Sequence, residues 1–281
     1  MNETKNIFWL ASYPKSGNTW FRVFLSNLFK EDEQPASIND LHHTPIASAR
    51  QPFDEATGLP SSDMTFEEVD RLRPEVYRLQ AREAEDIQFR KVHDAYTYLE
   101  DGSPLFPTDV SRGAVYFIRN PLDVLISFAH HSATEPGKMV DVINDPEKAF
   151  GRSPEKLFNQ LRQKLSSWSG HVKSWVDQPN LPVHVMRYED MRREPLKVFM
   201  DAVRFLNLDS GEEDVKKALN KSDLSVLQEQ EQKQGFKEKM IRADKFFRKG
   251  QVDEWREVLT NEQVETVIKE HKDIMKRFGY L

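Results

Sequence analysis

Residues 13–20, Tyr-Pro-Lys-Ser-Gly-Asn-Thr-Trp, have the residue types of a phosphate-binding loop. They follow the apolar run 7–12, which is typical of a buried strand, and precede residues 21–29, whose apolar spacing predicts a helix. Where a short loop joins a strand to a helix, the backbone N–H groups of the loop and the positive end of the helix converge on an anion. The sequence therefore predicts an anion site near the N-terminus.

Four residues of this loop add chemistry to its backbone. Lys15 supplies a mobile positive charge, and Ser16 and Thr19 supply hydroxyl donors. Gly17 has no Cβ to obstruct an anion that approaches the backbone. The Lys precedes the Gly, so the loop departs from the G-x-x-x-x-G-K-[ST] pattern of nucleoside triphosphatases.

The same order of strand and helix recurs at residues 113–131. The apolar run 113–118 predicts a strand, and Arg119 follows at its carboxyl end, where open α/β sheets bind ligands. Asn120 is a favourable N-cap, Pro121 suits the first helical position, and Asp123 suits the first turn. We expect Arg119 to lie beside a ligand.

Lys91 and His93 are the candidates for catalysis. Residues 87–94 predict a strand, and its period of two places both side chains on one face. An imidazole with an ordinary pKa of about 6.5 can be neutral near pH 7 and accept a proton.

The loop at 13–20 closely resembles Y-P-K-[SA]-G-[TN]-[TN]-W, the phosphosulfate loop of the cytosolic-type sulfotransferases. These enzymes transfer a sulfuryl group from 3′-phosphoadenosine 5′-phosphosulfate (PAPS) to a hydroxyl or amine. Residues 119–128 resemble the family's R-N-P-x-D-V-x-x-S-Y, and residues 247–255 resemble its F-R-K-G-x-x-G-D-W. Asp253 replaces the second Gly of the latter motif and Glu254 its Asp, which leaves the shape of that loop open.

Shorter similarities extend the resemblance over residues 7–265. Lys91-Val92-His93 is similar to the family's K-T-H, residues 181–190 to its strand ending in Y-E-D, and residues 222–227 weakly to its T-S-F motif. The resemblance implies that His93 is the general base, that Lys15 and Lys91 provide positive charge, and that Ser127 holds Lys15 aside. It implies these donor contacts: Lys15, Ser16, Gly17, Asn18, Thr19, Trp20, Arg119, Ser127, Tyr188, Ser222, Arg248, Lys249 and Gly250.

Alternating strands and helices predict an α/β fold with a mostly parallel central sheet flanked by helices and the phosphosulfate loop after the first strand. We expect one domain over residues 1–281. Residues 31–63 and 133–153 are polar and poorly periodic, so both are interpreted as long loops, and residues 211–281 as mainly helical.

Composition limits the function classes. The net charge of −6 disfavours nucleic-acid binding through a broad basic surface, and no apolar run is long enough to span a bilayer. The chain has no Cys and no metal-ligand spacing, which is consistent with a cytoplasmic enzyme that uses PAPS without a metal.

The sequence leaves three functions open: a sulfotransferase, a kinase-like NTP-dependent enzyme and a non-catalytic nucleotide-binding module. The acceptor is a small molecule of unassigned class. Several aromatic residues suit either an acceptor pocket or the core: Phe53, Phe66, Tyr96, Tyr98, Phe106 and Phe128. A partial dimer motif at 256–265 carries Asn261 where the family has Val, so a monomer and a homodimer both remain possible.

Overall fold

The computed structural model describes residues 5–153 and 156–281 of the chain. The strands in these residues are β1 (Ile7–Ser12), β2 (Gln88–Val92), β3 (Ser111–Ile118), β4 (Ala149–Phe150), β5 (Gln163–Lys164) and β6 (Val183–Arg187). The central sheet is parallel with the order β2-β1-β3-β6, and β4 and β5 form a separate antiparallel pair. In the β1–β2 pair, Ile7 lies opposite Gln88 and Ala11 lies opposite Val92.

Helices connect and flank the strands. They are α1 (Asn18–Leu28), α2 (Arg50–Thr57), α3 (Phe66–Glu83), α4 (Pro121–Ser132), α5 (Pro136–Asn144), α6 (Trp168–Val176), α7 (Tyr188–Arg193), α8 (Pro195–Phe205), α9 (Glu212–Lys221), α10 (Leu224–Gln234), α11 (Trp255–Val258) and α12 (Asn261–Arg277). A short 3-10 turn lies at Ser61–Asp63. This arrangement confirms the predicted α/β fold.

The chain divides into two compact units, each made of three segments. The first contains residues 1–13, 44–116 and 146–185, and the second contains residues 14–43, 117–145 and 186–281. The expectation of a single domain over residues 1–281 stays a prediction.

An aromatic cluster forms the core of the first unit. The ring centroid of Phe106 lies 4.9 Å from that of Trp9 and 4.9 Å from that of Trp175. Tyr96 packs edge-on against Trp175 at 5.3 Å. A satellite cluster contains Phe53. Of the aromatic residues that the sequence left open between pocket and core, Phe53, Tyr96 and Phe106 are thus buried core residues.

The second unit has its own aromatic core, which fixes the start of α1. Phe21 and Phe24 of α1 pack against Phe199 of α8, with centroid distances of 5.6 and 4.7 Å. Phe21 also contacts Phe117 at 5.1 Å, so the carboxyl end of β3 is held beside α1. The loops that follow β1 and β3 are thereby positioned by one packed group.

The interpretation of residues 31–63 and 133–153 as long loops was wrong in part. The first segment contains α2 and the 3-10 turn, and the second contains α5 and β4. The helix α5 was missed because Pro136-Gly137 resembles a turn, whereas Pro occupies its first turn, where no N–H is needed. Its buried residues Met139, Val140 and Ile143 are too few to give a clear period.

The prediction for the C-terminal part also needs a correction. Residues 211–281 contain α9 to α12, but residues 235–254 form no regular helix or strand. Gly235, with φ of +69°, ends α10, and the chain then runs irregularly to α11. This irregular segment carries two of the basic residues expected at the nucleotide.

Candidate functional site

The loop between β1 and α1 has the conformation of an anion-binding turn. Two of its residues have positive φ, Lys15 at +71° and Gly17 at +103°, and α1 begins directly after Gly17. Positive φ is uncommon for a residue with a Cβ, so Lys15 is held in a strained conformation of the kind found at ligand sites. The predicted strand, loop and helix are confirmed, and α1 begins three residues earlier than predicted.

Tyr188 fills the space that the absent side chain of Gly17 leaves open. A Cβ on Gly17 would lie 2.9 Å from Cδ2 of the Tyr188 ring, closer than real carbon contacts allow. Tyr188 is 7% exposed and begins α7 directly after β6. Gly17 is therefore required both by its backbone conformation and by the close approach of Tyr188.

Arg119 follows β3 and connects the first loop to the C-terminal segment. Its Nη1 donates to the carbonyl of Lys15 at 3.3 Å, and its Nη2 donates to the carbonyl of Gln251 at 2.8 Å. The guanidinium carbon lies 4.3 Å from the Tyr188 ring centroid, which is within cation–π distance. Arg119 thus lies at the carboxyl end of a strand, as predicted, and contacts the segments that contain Lys15 and Gln251.

Gly250 completes the group around Tyr188. A Cβ on Gly250, whose φ is +58°, would lie 2.9 Å from Leu224 and 3.4 Å from the Tyr188 hydroxyl. Gly17, Arg119 and Gly250 come from three separate motifs, and all three lie against this one ring. The structure therefore brings the loops at 15–18, 119 and 248–251 together within the second unit.

Asp123 holds the loop before α11. Its Oδ2 accepts the backbone N–H of Asp253 at 2.9 Å, and its Oδ1 accepts that of Trp255 at 3.2 Å. Burial raises the pKa of Asp123 above its usual value. Asp253, where the family has Gly, keeps a left-handed φ of +64°, which Asp adopts more readily than most residues. Asp253 therefore adopts a backbone conformation that Gly also favours.

Glu254 pairs with both basic residues of its motif. Arg248 Nη1 lies 2.7 Å from Glu254 Oε1, Arg248 Nη2 contacts Oε2, and Lys249 Nζ lies 2.9 Å from Oε1. The hydrogen bonds from Arg248 are the largest cause that lowers the pKa of Glu254 to about 2. The carboxylate is thus charged at neutral pH and only 5% exposed, beside two cations that the resemblance places at the donor.

Lys15 and Trp20 lie against aromatic or cationic neighbours. Lys15 Nζ lies 3.8 Å from the ring centroid of Phe246, a partner that the sequence did not indicate. Trp20 lies 6.3 Å from Tyr188 with the ring planes 70° apart, and Arg192 lies over Trp20 at 5.7 Å. The two rings are not parallel to each other. The resemblance implies that both contact the donor, and this stays a prediction.

The other predicted site residues of this unit lie on or directly before helices. Asn18 and Thr19 are in the first turn of α1, and Ser127 is half-buried in α4. The role of Ser127 toward Lys15 stays a prediction. The N-cap expected at Asn120 is present, since its side chain accepts the backbone N–H of Leu122 at 3.1 Å.

Ser222 is buried and hydrogen-bonded within the protein. It is 0% exposed, and its hydroxyl donates to the Ala218 carbonyl at 2.6 Å and accepts from Asn27 Nδ2 at 3.2 Å. The residues that follow it begin α10 at Leu224. The contact of Ser222 with the nucleotide stays a prediction.

Glu189 was not among the predicted site residues, although it is the Glu of the segment that resembles Y-E-D. Its Oε1 accepts the backbone N–H of Asn120 at 2.9 Å, and its Oε2 accepts the Tyr280 hydroxyl at 3.1 Å. Burial raises the pKa of Glu189. Glu189 thus fixes the loop after Arg119 from the residue next to Tyr188.

His93 and Lys91 belong to the first unit. His93 follows β2 rather than lying within it, so the predicted strand was too long by one residue at its start and two at its end. Its Nδ1 lies 2.9 Å from the carbonyl of Ser12, and a carbonyl only accepts, so Nδ1 carries the proton. Nε2 is then the basic nitrogen of a neutral His93.

The peptide groups around His93 are held by buried side chains. His171 Nε2 lies 3.1 Å from the His93 carbonyl, and the Tyr116 hydroxyl lies 2.8 Å from His171 Nδ1. Arg73 pairs with both Asp94 carboxylate oxygens at 2.9 and 2.8 Å. Lys91 is 8% exposed, and its backbone N–H donates to the Pro45 carbonyl at 2.9 Å.

The group in the second unit has the donors of an anion site. In the described residues, Ser16 Oγ and Arg119 Nε are buried and make no hydrogen bond, so both have capacity for a further partner. The positive-φ loop, the N-terminus of α1 and the side chains of Arg119, Arg248 and Lys249 supply N–H donors suited to anions. The residues present therefore suit an anion such as a phosphate group.

Two features are absent from the described residues. Among them, no three or more His, Cys, Asp or Glu side chains are grouped so that they could hold a metal ion. No helix in the same part of the chain is long and apolar enough to cross a membrane.

Comparison with known proteins connects this geometry to a family. A model described as a sulfotransferase domain matches residues 5–279. Cytosolic sulfotransferase 17 of Arabidopsis thaliana is 24% identical over 98% of this chain and 76% of its own length. The amine sulfotransferase of Oryctolagus cuniculus is 25% identical over 96% of this chain and 80% of its own length.

Solved structures show the same fold. Retinol dehydratase in complex with androsterone and the inactive cofactor PAP has a TM-score of 0.64 and 17% identity, and the match covers 97% of this chain and 81% of that one. A mouse sulfotransferase complexed with PAP has a TM-score of 0.61 and 17% identity, with coverage of 99% and 85%.

Proposed function

The chain belongs to the sulfotransferase family, and on this premise we propose that it transfers a sulfuryl group from PAPS to a hydroxyl or amine of a small or medium-sized acceptor. The observation that carries the proposal is the convergence of Gly17, Arg119 and Gly250 on the ring of Tyr188. These residues come from the three motifs assigned to the two phosphates of the donor. A donor with phosphate groups at both the 3′ and 5′ positions requires all three motifs in one place.

The 5′-phosphosulfate is assigned to residues 15–19 and the 3′-phosphate to Arg119, Ser127, Arg248 and Lys249. The first assignment is supported by the left-handed turn before α1 and by the buried Ser16 hydroxyl. The second is supported by the position of Arg119 at the end of β3 and by its bond to the C-terminal segment. Tyr188 and Trp20 are assigned to the adenine.

His93 is assigned as the general base. With its proton on Nδ1, it accepts the acceptor's proton at Nε2, while a bond forms from the acceptor oxygen or nitrogen to sulfur. The bond from sulfur to the bridging phosphate oxygen breaks, and adenosine 3′,5′-bisphosphate (PAP) leaves with the electron pair. The transferring group passes through a loose transition state, so its charge must be stabilised by positioned cations.

Lys15 is assigned to the leaving oxygen and Lys91 to the charge on the transferring group. Ser127 is assigned to hold Lys15 away from the donor before the acceptor binds. These roles follow from the family resemblance. Its PAP-complexed relatives and its cytosolic ones also support PAPS as the donor and a cytoplasmic location.

Nucleotide titration by calorimetry tests the donor assignment. The protein should bind PAP at least about tenfold more tightly than AMP, because the 3′-phosphate adds charge-assisted hydrogen bonds. Equal affinity for the two, or a preference for ATP, would contradict the proposal and favour an NTP-dependent enzyme.

Turnover with labelled PAPS and a panel of phenols, aliphatic alcohols and amines then identifies the acceptor class. Transfer of the label to at least one class supports an enzyme. A protein that binds PAP tightly and transfers to none of them would favour a non-catalytic nucleotide-binding module.

A further inference from the structure

We propose that Glu254 is a specificity-determining residue of the donor site, an internal anion that the nucleotide's 3′-phosphate must displace from Arg248 and Lys249. The inference rests on the proposed function, since it concerns the same phosphate. It goes further by giving this chain's Glu254, which stands where the family has Asp, a role in binding. In this role Glu254 competes with the phosphate for Arg248 and Lys249 and does not orient these side chains for binding.

The first argument is the geometry of the Arg248 pair. Both terminal nitrogens face the two carboxylate oxygens of Glu254, with Nη1 at 2.7 Å from Oε1. This two-pronged edge of a guanidinium is also the edge that binds phosphate, because carboxylate and phosphate oxygens have similar spacing. A phosphate that uses the Nη1–Nη2 edge of Arg248 therefore takes the place of Glu254.

The second argument is that Glu254 is held firmly in place. The N–H groups of its neighbours Asp253 and Trp255 both donate to Asp123. Its carboxylate is 5% exposed, whereas the side chains of Arg248 and Lys249 are 26% and 51% exposed. The backbone fixes the anion on the buried side, and the cations extend past it toward solvent.

The third argument is charge. The single carboxylate contacts two cations, so the cluster carries one net positive charge instead of two. A phosphate dianion is attracted less strongly by this cluster than by the two cations alone. Nucleotides without a 3′-phosphate do not use the cluster, so Glu254 affects only those that have it.

The test compares Glu254→Gln with Glu257→Gln by calorimetric titration of PAP and AMP. Glu257 is an exposed carboxylate in α11, three residues after Glu254, and its substitution changes the net charge of the protein equally. Glu254→Gln should bind PAP about tenfold more tightly than the unmodified protein, the size of one lost charge repulsion in a partly buried site, and AMP unchanged. Glu257→Gln should leave both affinities unchanged.

A second variant, Glu254→Asp, keeps the inference testable if Glu254→Gln does not fold. The shorter side chain keeps the charge but retracts it from the two cations, so PAP binding should tighten by a smaller factor. Unchanged or weaker PAP binding in both Glu254 variants would overturn the inference and make Glu254 a support for Arg248. The proposed function fails separately, if the unmodified protein does not distinguish PAP from AMP.

Discussion

Replacing Gly17 with Ala tests whether the ring of Tyr188 organises the donor site. Two costs can be read from the structure. The φ of +103° lies outside the range that L-residues adopt easily, which costs about 1–3 kcal/mol of folding free energy. The new Cβ would lie 2.9 Å from Tyr188 Cδ2, about 0.6 Å short of an ordinary carbon contact of ~3.5 Å.

The short contact with Tyr188 should also weaken nucleotide binding. Tyr188 must move away from Gly17, and Arg119 and Gly250 lie against the same ring. Misplacing the guanidinium or the loop at 250 weakens at least one charge-assisted contact to the nucleotide, worth about 1.5–3 kcal/mol. We therefore expect PAP affinity to fall by roughly ten- to a hundredfold.

Gly58→Ala is the matched control. Gly58 also has a positive φ, +67°, but a Cβ there meets nothing within 4 Å. This variant should lose about 1–2 kcal/mol of stability in urea unfolding and keep its PAP affinity in calorimetry. A folded Gly17→Ala protein with normal PAP affinity would refute the reasoning, as would an equal loss of affinity in Gly58→Ala.

Four further predictions follow from the same geometry. Arg119→Ala should weaken PAP binding by about 2–3 kcal/mol and AMP binding little, and calorimetry showing equal losses would contradict the 3′-phosphate assignment. His93→Ala should lower kcat at least ~10²-fold while PAP affinity stays within about threefold, and near-normal turnover of folded protein would contradict its role as base. Treatment with EDTA should leave turnover unchanged, because the assigned charges are Lys and Arg, and a loss restored by Mg²⁺ would argue against this. Burial lowers the pKa of His171 to about 4 from the usual 6.5, so the unfolded chain takes up this proton first on acidification. His171 should therefore lower the stability between about pH 6.5 and 4, by about 2–3 kcal/mol at pH 4.5, and urea unfolding of His171→Gln should show a fall that is smaller by this amount.

The sequence predicted correctly the local structure around the proposed donor site. The strand, loop and helix around Gly17, the N-cap at Asn120 and the place of Arg119 at a strand end all depend on neighbouring residues. Backbone conformation over such short stretches is set by side-chain size, by capping hydrogen bonds and by the period of apolar residues, and each of these is visible in the sequence. Family resemblance then connected the separate motifs.

Helices with weak local signals were not predicted. The helix α5 has only three buried residues, and Pro136-Gly137 at its start resembles a turn. Its stability comes from packing of those residues rather than from a long amphipathic pattern, and packing partners distant in the chain cannot be identified from the segment itself.

Only the tertiary structure decided how the motifs act on one another. Tyr188 contacts Gly17, Arg119 and Gly250, Asp123 holds the turn at 253–255, and Glu254 occupies the two cations beside it. The same structure turns the Ser222 hydroxyl into the protein, where Asn27 and Ala218 satisfy it. The sequence by itself determined which residue types are suited to an anion, because that depends on chemistry carried by each motif. Which of those groups are already paired depends on the folded backbone: Arg119 donates to Lys15 and Gln251, each more than a hundred residues away in the chain, and Asp123, equally distant, holds the turn that precedes α11 beside Glu254. These distances exist only once the chain is folded.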